Sequence, residues 1–140
     1  MPNHDALSSE ALSSEALSSE AMSLSAEPLV TIEQLGLPPY ADRSCELVDG
    51  RLVDVSAAYG GHGAIASRIH RALVLWATPR GAGEVYSAET GYILRRGPDT
   101  VRAPDVAFLR TGRVVPDRAF VEGAPDIAVE VLSLDVSVRE

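Results

Sequence analysis

The sequence predicts one α/β (or α+β) domain in which short β-strands pack against at least one helix. Three patterns favour this fold class. A strong hairpin turn, Asp49-Gly50, separates two short strand-like segments. Apolar residues recur at helical spacing between Ile65 and Trp76, and extended apolar segments follow them along the chain. With 140 residues, the chain is long enough for one such domain but hardly for two.

The first half of the domain is predicted to form a helix, a hairpin and a second helix. TIEQLGLPP predicts a short helix that ends at Gly36. CELVDGRLVDVS, residues 45–56, predicts the hairpin. YGGHG, residues 59–63, predicts a flexible loop. AIASRIHRALVLWATP after it predicts the main helix, which ends at Pro79.

The second half of the domain is predicted to contain three extended segments. EVYSAETGYILRR and TVRAPDVAFLR are two of them, separated by residues 97–99, and GRVVPDRAFVEGA is a connecting loop. PDIAVEVLS, residues 125–133, has the continuous apolar run of a strand that is buried on both faces. Glu130 stands inside that run, where an unpaired charge costs several kcal/mol. This placement predicts that a cationic side chain or a metal ion is the partner of Glu130.

The first 28 residues form a separate acidic segment. ALSSE occurs three times in tandem between residues 6 and 20. A five-residue step rotates a helix by about 140° net, so the leucines of the repeat do not share a helix face. We expect residues 1–28 to be a disordered tail, with docking on a partner as the alternative. Residues 29–140 are expected to form the domain.

Composition limits the kind of protein. The formal net charge is −8, but residues 1–33 hold six acidic and no basic residues, so the remainder is nearly neutral. The single cysteine, Cys45, excludes an internal disulfide and fits a reducing compartment. No apolar run approaches the ~20 residues that span a membrane, and the N-terminus lacks the basic region of a secretory signal. We therefore expect a cytoplasmic protein with no membrane partner.

Two carboxylates are the candidates for chemistry. APDVAFL and APDIAVEV are both strand-like; Asp105 begins the first strand and Glu130 lies within the second. Carboxylates that neighbouring strands present at one edge form a hard-oxygen site, which suits Mg²⁺ or Mn²⁺. A cation there would neutralise the charge, activate a water molecule and stabilise the pentavalent phosphorus of phosphodiester cleavage.

The same segments resemble a known family. CELVDGRLVDVS, the GGHGAI start of the main helix, VRAPDVAFL and APDIAVEVLSLDVSVRE are similar, in order and spacing, to the Uma2 family of endonucleases. This family belongs to the PD-(D/E)XK, or restriction-endonuclease-like, superfamily. The resemblance implies an αβββαβ nuclease core, DNA as the substrate and Asp105 and Glu130 as the metal ligands. Glu46 and His62 match family positions, which implies that they are accessory catalytic residues.

The chain departs from this family at the lysine. Leu132 occupies the position where the superfamily motif usually has lysine, and Leu134 replaces the proline of the next turn. All twelve basic residues are arginine, so the chain has no lysine at all. It stops at Glu140, so we expect the last helix and strand to be missing and the domain to be C-terminally incomplete. The alternative function is an inactive nuclease-fold remnant that binds a partner or forms a homodimer through an uncovered sheet edge.

The same residues allow other interpretations. Glu130 could pair with Arg102 across the strands instead of binding a metal. Asp126, in the second Pro-Asp, would share a strand face with Glu130 and is the second choice as a ligand. GHGAIA, residues 61–66, gives a faint GxGxxA fingerprint of dinucleotide binding, although its glycines do not follow a strand tightly. Some arginines could contact DNA phosphates, but acidic residues are interspersed among them, which favours a solvated surface: Arg95, Arg96, Arg110, Arg113 and Arg118.

Overall fold

The structure, a computed structural model, describes residues 28–132. The predicted tail of residues 1–28 therefore lies, except for its last residue, outside the described residues. Helix α1 is Ile32–Leu35 and helix α2 is Gly60–Ala77, which continues into a 3₁₀ turn over Thr78–Arg80. The strands are β1 Cys45–Val48, β2 Arg51–Asp54, β3 Gly83–Ser87, β4 Tyr92–Arg95, β5 Thr100–Arg102, β6 Val106–Arg110, β7 Val121–Glu122 and β8 Ile127–Val129. Neither helix is long and apolar enough to cross a membrane.

The strands form two sheets, which we call sheet A and sheet B. Sheet A has the strand order β2-β1-β5-β4-β7, and sheet B has the order β3-β6-β8. Neighbouring strands are antiparallel except for β4 and β7, which are parallel. Helix α2 packs on β3 and β6 of sheet B. The predicted α/β fold class is confirmed.

One core lies between α1 and sheet A. Leu47 of β1 is opposite Val101 of β5, and Val101 is opposite Ile93 of β4, so these three side chains share one face of the sheet. They form a buried cluster with Ile32 and Leu35, the two buried residues of α1. The short helix is therefore held by its apolar side chains rather than by its length.

A second core joins the two sheets. Tyr92 and Val121 lie opposite each other on β4 and β7, on the face of sheet A that is turned away from α1. They pack against Ala107 and Leu109 of β6. Because side chains alternate along a strand, Val106 and Phe108 are on the other face of sheet B. Phe108 there contacts the indole of Trp76 from α2, with ring centroids 5.9 Å apart.

The hairpin turn and helix α1 form where the sequence predicts them. Asp49 and Gly50 both have positive φ, 53° and 75°, as a two-residue type I′ hairpin turn requires. The side chain of Thr31 caps α1 and Gln34 returns the interaction, which completes a capping box. That helix ends at Gly36, as predicted.

Four predictions about segment boundaries are wrong. YGGHG is not a loop, because α2 already begins at Gly60. EVYSAETGYILRR is two strands, β3 and β4, and TVRAPDVAFLR is likewise two, β5 and β6; in each case the two strands belong to different sheets. Pro104 stands at the second break, where it cannot donate a ladder hydrogen bond. The connecting loop of residues 112–124 also contains the two-residue strand β7.

The prediction of a strand buried on both faces at residues 125–133 is also wrong. Strand β8 covers only three residues, and within the described part of the chain it pairs only with β6. Ile127 is 40% exposed, and Ala128 and Glu130 are exposed as well. An apolar run identifies a strand but does not show whether another element covers it.

Candidate functional site

The first part of the site lies at one end of sheet B. Val106 of β6 and Val129 of β8 are the last paired residues of the two antiparallel strands. One step further in the same register, Asp105 is opposite Glu130. Residues that are directly opposite in an antiparallel pair have their Cβ atoms about 5 Å apart. The two predicted ligands are therefore brought to the same end of the sheet by strand register.

Asp105 is held by two different elements. Its Oδ2 atom accepts a hydrogen bond from the backbone N–H of Val131, at 2.7 Å, which ties Asp105 to the residue that follows Glu130. The Nε2 atom of His62 lies 3.1 Å from the same oxygen. His62 reaches this position because it is in the first turn of α2, which begins beside this end of sheet B. Both side chains are mostly buried, 16% exposed for His62 and 18% for Asp105.

The second part of the site comes from sheet A. Leu47 pairs with Val101, so the same register places Glu46 opposite Arg102. The Nε of Arg102 is 2.8 Å from Glu46 Oε2, and the backbone N–H of Ala103 donates to Glu46 Oε1 at 2.7 Å. Glu46 is the only buried polar or charged residue among residues 28–132. Each oxygen of this buried carboxylate therefore has a partner, which offsets part of the free-energy cost of burying the charge.

This pair changes two of the interpretations made from the sequence. The buried carboxylate is Glu46, whereas Glu130, which the sequence predicts to be buried, is exposed. Arg102 pairs with Glu46 and not with Glu130. The sequence pattern suggests for Arg102 only this alternative pairing; its position directly before Ala-Pro-Asp is the signal that points to the site.

Electrostatics connects the two parts of the site. The pKa of Glu130 is raised above its ordinary value, first by partial burial of the carboxyl group and then by the negative charges of Asp105 and Glu46. The positive charges of Arg102 and His62 act in the opposite direction. Four charged groups from both sheets and α2 therefore lie close enough to Glu130 to act on its carboxyl group, and carboxylates outnumber the permanent cation by three to one.

The donor set fits a hard divalent cation by its chemistry. Asp105 and Glu46 raise the pKa of Glu130, so a cation that neutralises these charges is favoured, and oxygen donors are the ligands preferred by Mg²⁺ and Mn²⁺. In the described part of the chain, however, no three Asp, Glu, His or Cys side chains converge closely enough to hold an ion together. The most that this arrangement provides is a ligand pair with nearby charged groups.

The remaining candidates lie elsewhere. Asp126 is at the opposite end of sheet B, where Arg110 donates to it through the backbone N–H at 3.0 Å and through Nε at 2.5 Å. These hydrogen bonds lower the pKa of Asp126, so it is a structural ion-pair residue. Arg95 and Arg96 pair with acidic side chains, as Arg110 does. Gly61 and the other glycines of GHGAIA lie within α2 rather than in a strand-to-helix turn, which does not match the dinucleotide fingerprint.

Comparison with known proteins defines the family. Residues 32–140 match the family model of Uma2, described as "Putative restriction endonuclease". The chain therefore belongs to the Uma2 family. No curated protein matches the chain.

A solved structure supports the fold. The chain is similar to a structure described as "a putative nuclease belonging to DUF820 from Anabaena variabilis ATCC 29413", with a TM-score of 0.60 and 22% sequence identity. The similarity covers 79% of this chain and 62% of that one, so the chain spans less than two thirds of that nuclease. At this level of identity, the similarity shows that the two proteins share a fold.

Proposed function

We propose that the protein is a metal-dependent DNA endonuclease of the Uma2 type. The observation that carries this proposal is that strand register places Asp105 opposite Glu130 in sheet B and Glu46 opposite Arg102 in sheet A, while His62 lies against Asp105, three residues after Arg102. Such a mixture of carboxylates and cationic groups is suited to a metal ion and a phosphodiester rather than to a neutral ligand. Family membership makes DNA the first substrate class to test.

Asp105 and Glu130 are the residues that would hold Mg²⁺ or Mn²⁺. When bound, the ion would supply a lowered pKa for an attacking water molecule and positive charge for the phosphoryl oxygens. The hydrogen bond from the Val131 N–H to Oδ2 restricts the rotamer of Asp105, and this also restricts the position of its other carboxylate oxygen. Glu130 gives up its proton more readily once a cation offsets the charges of Asp105 and Glu46, so metal binding should release protons in mildly acidic solution.

The other site residues would act by position and charge. His62 lies against Asp105 and limits the orientations of this carboxylate. Glu46 holds the guanidinium of Arg102 and the backbone of Ala103 in one arrangement. Burial of these contacts at the junction of the sheets makes the arrangement rigid before a substrate arrives.

The test is nicking of supercoiled plasmid in Mg²⁺ and in Mn²⁺. We expect cleavage by the unaltered protein and loss of cleavage in both Asp105→Asn and Glu130→Ala. Asp117→Asn is the matched control, because Asp117 is an exposed acid in the β6–β7 loop, away from the site. Equal cleavage by all four proteins would point to a contaminating nuclease. No cleavage by a folded, unaltered protein would refute the endonuclease proposal.

The second candidate function is an inactive nuclease-fold remnant that forms a homodimer. Exposed apolar side chains on β8 and after it favour this candidate, because Ile127 is 40% and Leu132 is 87% exposed. The chain also has no lysine, the usual cation of the superfamily motif. Sedimentation velocity of the full chain and of Ile127→Asp tests it. A dimer that becomes a monomer in the variant supports the candidate, and a monomer in both proteins rejects it.

A further inference from the structure

Arg102 occupies a distinctive position among the arginines of the described chain. It ends β5, three residues before Asp105, on the face of sheet A that also carries Glu46. Its positive charge acts to lower the pKa of Glu130. Arg43, Arg95 and Arg96 form ion pairs with acids that have no part in the candidate site.

The contacts of Arg102 use only part of its guanidinium. The Nε atom lies 2.8 Å from Glu46 Oε2, and the two terminal nitrogens donate no hydrogen bond to any group among residues 28–132. The side chain is 44% exposed, whereas that of Glu46 is 10% exposed. A buried carboxylate thus lies beside the Nε edge of the group, and its outer edge, the terminal nitrogens with two pairs of N–H donors, makes no hydrogen bond within the described part of the chain.

An outer edge of this kind has a specific chemical preference. A guanidinium is planar, stays charged at any physiological pH and can donate two parallel hydrogen bonds to a phosphate. Glu46 neutralises part of the charge, but its ion pair also restricts the position of the Arg102 side chain, which lowers the entropy lost when an anion binds. Because Asp105 and Glu130 would repel a phosphate without a metal, a fixed cation beside them compensates for part of that repulsion.

We infer that Arg102 binds a phosphate of the DNA backbone at the site, as the cation that a lysine would otherwise supply, and that Glu46 is its positioning residue. This inference rests on the proposed function. It assigns the phosphate contact to a residue of sheet A, while the proposed metal ligands belong to sheet B.

The test measures binding of DNA separately from cleavage. A short fluorescein-labelled duplex is titrated with the full chain in EDTA and in Ca²⁺, over a series of salt concentrations, and anisotropy gives Kd. Arg102→Gln should weaken binding about tenfold, as expected for loss of a charge-assisted pair. The slope of log K against log salt should fall by about 0.9, the value for one phosphate contact.

Arg43→Gln is the matched control. Arg43 is 45% exposed and forms one ion pair, with Asp54, so it resembles Arg102 in exposure and in number of ion pairs but takes no part in the candidate site. We expect Arg43→Gln to bind DNA as the unaltered protein does. Equal Kd and equal salt slope in Arg102→Gln and the unaltered protein would overturn the inference, as would equal weakening in the two glutamine variants.

Arg102→Lys keeps the inference testable if the glutamine variant does not fold. A lysine retains the charge but cannot form two parallel bonds, so the salt slope should stay unchanged while Kd rises severalfold. An unchanged Kd would overturn the two-bond contact. Cleavage by the unaltered protein together with normal DNA binding by Arg102→Gln would reject this inference alone, whereas no DNA binding by the unaltered protein would reject the proposed function as well.

Discussion

Glu46→Ala should destabilise the fold more than its single ion pair suggests. The substitution removes the acceptor of the Ala103 N–H and the partner of Arg102 at once. An amide left without an acceptor at a part-buried position costs about 1–3 kcal/mol. Arg102 is 44% exposed and can turn to water, so its lost pair adds little. We expect a loss of about 2 kcal/mol, which for a domain of this size lowers Tm by about 10 °C.

Urea unfolding, followed by the fluorescence of Trp76, measures this loss. Asp54→Ala is the control. Asp54 belongs to the same hairpin and forms one 2.6 Å ion pair, with Arg43, but its side chain is 72% exposed. This substitution should therefore leave the urea midpoint nearly unchanged. Glu46→Gln retains an acceptor for Ala103 and should fall between the two. If Glu46→Ala unfolds at the same urea concentration as Asp54→Ala, the amide bond is not what stabilises this corner, and the reasoning fails.

Four further substitutions test other positions. Glu130→Gln should stabilise the fold near neutral pH, because the raised pKa means that ionisation opposes folding; thermal melts should show the gain growing as pH rises above 4.5 and vanishing below it. Gly83→Ala should cost about 2–3 kcal/mol in urea unfolding, since its Cβ would lie 1.9 Å from the carbonyl oxygen of Leu109, whereas Gly63→Ala meets nothing in α2 and should stabilise by up to about 1 kcal/mol. If both substitutions changed the free energy of unfolding in the same direction, the close contact between Gly83 and Leu109 would be contradicted. Leu132→Lys should change plasmid nicking by less than about tenfold if the site already has its cation; a larger gain would show that it lacks one.

The parts of the fold that could be predicted are those encoded within a few residues. Asp49-Gly50 sets the hairpin because both positions tolerate positive φ. Helix α2 follows from apolar spacing, and α1 from the Thr31 cap and Gly36. Each of these signals acts through the backbone of its own segment, so no knowledge of the rest of the chain is needed.

The burial of the site could not be predicted in the same way. Whether Glu46 is buried depends on β5 lying beside β1, a pairing that brings together residues 57 positions apart. In the sequence, Glu46 is one acid in a short strand and Glu130 one acid in an apolar run, so periodicity ranks their burial in the wrong order. Period-two patterns give the face of a strand but not its place in a sheet.

The chain itself limits the distance between Arg102 and Asp105, whereas the position of Glu130 depends on strand pairing. Arg102 and Asp105 are three residues apart, so their Cα atoms cannot be more than about 11 Å apart, however the sheets pack. Pro104 restricts the backbone of this crossing, and Glu46 binds the Ala103 N–H. Glu130 instead follows β8, a three-residue edge strand that is held by β6.

This difference predicts the order in which the functions are lost. Edge strands with few pairs open at lower free energy than the interior of a sheet, so mild urea should displace Glu130 before it disturbs Arg102. Plasmid nicking should therefore fall at a urea concentration where the labelled duplex still binds and Trp76 fluorescence is still native. If cleavage, binding and fluorescence are lost together, β8 is as firmly held as the core, and the division of the site between a rigid crossing and an edge strand is wrong.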